Sequence, residues 1–229
     1  MDELGLVEDL VRRWERGWGL CRGLPEATTR TASDALEVVL GLPGREWELF
    51  LVDGGDEVVR ALAEEVLGSP GWLTVTTQRA DEVAALLEHA GLEVFAERKL
   101  LMSIDLRNQA TPAAPPPEYR QELSGDGAVR SAQLLDTRGN VAARGMVAVV
   151  GTDAVMHDIH TDPGHRRRGL GSVVMGMLGR RAIQRGATTG LLMATVDGAH
   201  LYRRLGWSPV ATMVTATNRT AANSRSTAA

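Results

Sequence analysis

The passage Arg166-Arg167-Arg168-Gly169-Leu170-Gly171 constrains this 229-residue chain more than any other. It follows an alternating run from Asp153 to Thr161 and an Asp162-Pro163-Gly164 turn, and it precedes Val174, Met177, Leu178, Ala182 and Ile183 at helical spacing. The order is strand, tight turn, glycine-rich loop, and a helix from about Ser172 to Arg185. Glycines at 169 and 171 let the backbone approach a ligand with no Cβ in the way, while free N–H groups and the helix dipole aim positive potential at it. That arrangement suits a pyrophosphate. An arginine-rich turn alone is most often a solvated surface; its place between strand and helix gives it meaning. Two other phosphate templates fail on spacing: there is no Gly-Lys-Ser/Thr, and the dinucleotide pattern needs glycine at 174, where Val174 stands.

The charge distribution agrees. Residues 1–106 carry 21 acidic and 10 basic side chains, a net of −11, whereas residues 107–229 carry 8 and 15, a net of +7. A chain of net charge −4 with one basic half is a poor general nucleic-acid binder but suits a phosphate-bearing cofactor on its basic side. The single Cys21 makes neither an internal disulfide nor a zinc site, so no metal is expected. No apolar run reaches the roughly 20 residues of a membrane helix, and the opening Met1 to Leu10 is acidic where a secretory signal is basic. The expectation is a cytoplasmic protein that engages no membrane.

Prolines and small residues at 108–118 read as a stiff linker between two halves, and residues 218–229 as a disordered tail. In the first half, Leu6, Leu10, Trp14 and Trp18 mark one face of a helix. Trp47 to Asp53 reads as a strand before Gly54-Gly55, then come a helix to Gly68, a strand from Gly71, a helix stopped at Gly91, and one long strand from Leu92 to Leu106. The second half opens on a three-stranded antiparallel meander and closes, after the loop and its helix, with a strand, a helix and a strand. A weak echo aligns Gly91-Leu92 with Gly206-Trp207, which sets Leu87 where Tyr202 stands.

These pieces, over about residues 141–215, resemble the GNAT superfamily of acetyl-CoA-dependent N-acyltransferases: the strand ending His160-Thr161-Asp162-Pro163, the loop Arg166 to Gly171, its helix, the strand Gly190 to Thr195, and Leu201 to Trp207. The two-half arrangement resembles the FR47-like and glycine N-acyltransferase branches. The resemblance implies an α/β GNAT fold, with a mixed, mostly antiparallel sheet and flanking helices. Residues 119–217 would be the catalytic domain and residues 1–107 a degenerate GNAT-like half that binds no CoA and walls the acceptor site, since the meander follows the linker too closely for the helices that usually line it. It further implies that the backbone of Arg166, Arg167, Arg168, Gly169, Leu170, Gly171 and Ser172 holds the CoA pyrophosphate, and that Ile159, His160 and Thr161 bind the pantetheine arm and polarise the thioester carbonyl. The asparagine often found after the next strand is absent, and Thr195 and Asp197 occupy that region.

Tyr202 matches the family's tyrosine that protonates the leaving thiolate, a role suited to a phenol with a reference pKa near ~10. His157 is the first candidate base, with Asp158, His160 and a first-half glutamate as competitors. Strand alternation puts His157 with Val155 and Ile159 on one face and Asp158 and His160 on the other, which argues against a His-x-x-His metal pair. The expected reaction is acetyl transfer from acetyl-CoA to a small-molecule primary amine by direct transfer in a ternary complex, without metal. The partner is that small amine, with neither nucleic acid nor membrane, and a homodimer stays open. The alternative is a CoA-binding or regulatory module without turnover.

Overall fold

The structure, a computed structural model, describes residues 3–110 and 114–218. Residues 111–113 of the linker and 219–229 of the expected tail lie outside the described residues. In chain order the elements are α1 (Glu3–Arg22), β1 (Thr28–Thr29), β2 (Leu36–Leu42), β3 (Arg45–Val52), α2 (Asp56–Val66), β4 (Gly71–Thr77), α3 (Ala80–His89), β5 (Glu93–Val94) and β6 (Lys99–Asp105). They continue with β7 (Arg120–Ser124), β8 (Val129–Leu135), β9 (Val141–Val150), β10 (Asp153–Thr161), α4 (Leu170–Gln184), β11 (Thr189–Thr195), α5 (Val196–Arg204) and β12 (Ser208–Thr217). Among the described residues no helix is long and apolar enough to cross a membrane. The chain divides into two compact units, one of Met1–Arg12, Leu24–Leu101 and Val210–Ala229, the other of Arg13–Gly23 and Met102–Pro209.

The first unit holds strands in the order β1-β2-β3-β4-β12. Every residue of β4 is buried, which fits an apolar run covered on both faces. α2 buries Val59, Leu62, Ala63 and Val66 and α3 buries Val83, Ala84 and Leu87, both at helical spacing, against Leu49, Leu51, Leu73, Val75 and Val214. β3 and β4 run parallel and stay paired from Trp47–Gly71 to Val52–Thr76. The long strand expected from Leu92 to Leu106 is two strands. Between them Phe95 meets Trp72 edge-on at 4.7 Å and donates its N–H to Thr215 O at 2.9 Å, and the Arg98 side chain donates to Phe95 O, which turns the chain aside.

The second unit holds strands in the order β6-β11-β10-β9-β8-β7. β8, β9 and β10 form the expected meander, and β7 adds a further antiparallel strand to it. The β8–β9 turn is built by Asp136, whose Oδ1 accepts the N–H groups of Arg138 and Asn140 at 2.8 Å each. β10 pairs with β11 in parallel over only three residues, Asp153–Val155 with Thr189–Leu191. α4 begins at Leu170, two residues before the expected start, because Gly169 caps it in the left-handed conformation at φ 78°. Its Val174, Met177, Leu178 and Ala182 are buried as expected, but Ile183 is 46% exposed.

The Arg13–Gly23 part of α1 packs on β10 within this unit. Gly17 permits the approach: a Cβ there would sit 2.2 Å from Val155 Cγ2. Arg13 grips the buried Asp153 through Nε to Oδ2 at 2.9 Å and Nη2 to Oδ1. Leu10, Trp14 and Trp18 are buried as the spacing predicts, yet Leu6 is 45% exposed. A repeat of four advances 40° past a full turn at each step, so the first member of a four-residue series falls off the face.

Candidate active site

β10 is the strand that changes the sequence reading most. Its ladder with β9 pairs His157 with Met146 and then His160 with Arg144, so three residues on β10 span two on β9. The extra residue is a β-bulge at Asp158, which takes a left-handed φ of 49°. Strict alternation therefore fails. Ile159 turns towards α4, where its Cδ1 lies among Val174 and Leu178 at Gly145, whereas His160 returns to the face of His157. Contrary to the expectation from strict alternation, His157 and His160 share one face of the strand, although no cluster of three metal-binding side chains forms among the described residues. Asp158 itself is gripped by Arg144, with Nε to Oδ2 at 2.7 Å.

His157 lies on the same face as Val155, and hence on the α1 side of the strand. It is half-buried, and burial lowers its pKa below the usual 6.5; the charge of Arg22, from the end of α1, lowers it further against the opposing pull of Asp158. The imidazole is therefore neutral near pH 7. Arg22 itself lies 5.0 Å over the Trp18 ring, which stacks on Trp14 at 5.5 Å. Cys21, half-buried at the end of α1, stays a thiol, since burial pushes its pKa up to about 12.

Beyond Thr161 the chain turns on Asp162, whose Oδ1 accepts from Gly164 N at 2.9 Å. Arg167 then takes a left-handed φ of 64° and Gly169 one of 78°, which bends the backbone into the start of α4. Ser172 N donates to Gly169 O at 3.0 Å. Among the described residues no hydrogen bond is made by the N–H groups of Gly169, Leu170 and Gly171, three adjacent donors at a helix N-terminus. A Cβ on Gly171 would stand 3.0 Å from Leu201 and 3.6 Å from Thr161 Oγ1, so this glycine joins the loop to both β10 and α5. Thr195, at the end of β11, caps α5 by accepting from Gly198 N at 3.0 Å.

Tyr202 lies on α5 and is 8% exposed. Its hydroxyl makes no hydrogen bond among the described residues, and burial pushes its pKa up to about 12, so it stays protonated near neutral pH. The bulge, the parting of β10 from β11 after Val155, the three free N–H groups and Gly171 fit a phosphorylated ligand whose arm enters between the strands.

Sequence reasoning missed the bulge and a polar group behind the loop. Tyr119, His165, Arg168 and Asp136 come together there, from the segment before β7, the turn after β10, the loop and the β8–β9 turn. The one available signal was scarcity: the chain has two tyrosines, and Tyr119 is the one that Tyr202's motif leaves unexplained.

The family model described as Acetyltransferase (GNAT) family matches residues 101–207. No curated protein matches the chain by sequence. Among solved structures, a GCN5-related N-acetyltransferase from Kribbella flavida aligns with 88% of this chain and 92% of its own, at 17% identity and a TM-score of 0.61. One from Sphaerobacter thermophilus aligns with 80% of this chain and 75% of its own, at 14% identity and a TM-score of 0.58. A tandem GNAT protein from the clavulanic acid biosynthesis pathway aligns with 70% of this chain and 67% of its own, at 13% identity and a TM-score of 0.52. These likenesses are likenesses of fold.

Proposed function

We propose that this chain, whose residues 101–207 match the acetyltransferase (GNAT) family model, is an acyltransferase that moves an acetyl group from acetyl-CoA to the primary amine of a small molecule, by direct transfer in a ternary complex. The observation that carries this reading is the row of free N–H donors at Gly169, Leu170 and Gly171, on the loop that follows the end of β10 left unpaired with β11. Acetyl-CoA supplies the activated thioester and its leaving thiolate. The loop from Arg166 to Ser172 binds the pyrophosphate, chiefly through those three N–H groups, with the arginine side chains adding positive potential.

The bulge withdraws Asp158 and Ile159 from the β9 ladder, and the backbone of Ile159, His160 and Thr161 holds the pantetheine arm and polarises the thioester carbonyl. The acceptor amine approaches on the His157 face of β10. His157 takes the proton from its ammonium, and the Tyr202 hydroxyl gives one to sulfur. In this reading the Arg13–Gly23 segment of α1, which packs on β10, supplies part of the acceptor wall.

The test is thiol release from acetyl-CoA across a panel of small amines. The reading predicts release that depends on one class of amine and falls at least tenfold in Tyr202→Phe, with CoA affinity retained. CoA binding with no turnover on any amine would favour a regulatory module that keeps the fold.

A further inference from the structure

The polar groups that grip the glycine loop converge on one atom. Tyr119 is 5% exposed, and its Oη lies 2.9 Å from His165 Nδ1 and 3.1 Å from Arg168 Nη1. His165 and Arg168 bracket Arg166 and Arg167, so a single hydroxyl closes a ring around the segment in which Arg167 holds its left-handed φ of 64°. A residue with a Cβ disfavours that conformation, and neighbouring contacts must enforce it.

Arg168 has only N–H donors, so the phenol oxygen accepts from it, while the phenol and His165 Nδ1 share the second hydrogen bond, with the donor set by the imidazole tautomer. Nε2 faces Asp136 Oδ2 at 3.9 Å, and Asp136 is itself fixed by the N–H groups of Arg138 and Asn140. The two rings meet edge-on at 5.6 Å, which orients the phenol. The loop is thereby tied through Tyr119 to the segment that leads into β7, with His165 Nε2 beside the β8–β9 turn.

We propose that Tyr119 is a positioning residue whose hydroxyl clamps the loop in its anion-binding shape. Three successive arginines repel one another and a free glycine-rich segment samples many conformations, so the N–H groups of Gly169, Leu170 and Gly171 converge on one anion only if the loop is held in advance. The clamp rests on the CoA reading above. It acts on donor binding and not on the chemical step, because the phenol contacts the outer side of the loop through side chains and leaves His157 and Tyr202 untouched.

Tyr119→Phe keeps the ring and removes the hydroxyl alone. Calorimetric Kd for CoA and KM for acetyl-CoA should both rise roughly three- to tenfold, the equivalent of one lost hydrogen bond. The kcat should stay within about twofold and the melting temperature within about 4 °C. His165→Leu, which removes the other end of the clamp, should raise the same two constants and serves if the first variant is unstable. A Kd unchanged in both variants, or a fall in kcat with Kd intact, would overturn the clamp. Failure of the wild-type chain to bind CoA at all would overturn the functional reading and the clamp with it.

Discussion

At the scale of single residues, the role proposed for His157 fixes how the reaction should respond to pH. Burial, then Arg22, depresses its pKa below 6.5. Activity that needs the neutral ring should therefore rise with pH through a midpoint below 6.5; in His157→Ala that limb should flatten and kcat fall at least tenfold. A pH–rate profile of kcat/KM checks this, and an unaltered limb would shift the role to Asp158 or His160. The same depression has a stability sign. Below 6.5 the unfolded chain takes up a proton that the native ring refuses, so stability associated with His157 is present above that value and is lost as pH falls. The glycine loop was legible at this scale because its spacing falls between a strand and a helix. The side of the strand on which His160 stands was not, because one inserted residue reverses a period of two and leaves no mark in composition.

At the scale of elements, the helix stops were readable and some helix faces were not. Gly91 and Gly206 end α3 and α5 with φ of 92° and 94°. After each, the next N–H reaches back five residues: Leu92 N to Leu87 O at 3.1 Å and Trp207 N to Tyr202 O at 3.0 Å. The aligned pairs of the weak echo thus share one capping geometry, with Leu87 and Tyr202 in the same role. Gly206→Ala would force a Cβ into a left-handed residue and to 3.0 Å from Asn108 O. It should cost about 1–2 kcal/mol, a loss of roughly 2–8 °C in Tm by calorimetric melting, whereas Tm unchanged would mean that the cap is dispensable. The outer ends of α1 and α4 misled in a common way. Leu6 and Ile183 lie round the helix from the buried stripe, Leu6 by the about 40° that each four-residue step adds and Ile183 by the about 100° that separates it from buried Ala182.

At the scale of the whole molecule, the chain runs twice through hairpin, helix, parallel strand, helix and strand. The two passes differ where phosphate chemistry would sit. In the first, β3 stays paired with β4 to its end, and the loop that follows carries Asp53 and Asp56, both bound by Arg79, which holds the Asp53 carboxyl below the usual range. In the second, β10 parts from β11 and the loop offers free N–H groups among arginines. The charge partition of the sequence, −11 against +7, reports this difference without locating it. The central claim is that the second pass alone binds the acyl donor, through the loop at Gly171. Titration calorimetry of the chain with CoA should give one site per chain and no measurable binding in Gly171→Asp, where bulk and negative charge meet the pyrophosphate. Two comparable sites, or a Kd that Gly171→Asp leaves unchanged, would contradict it.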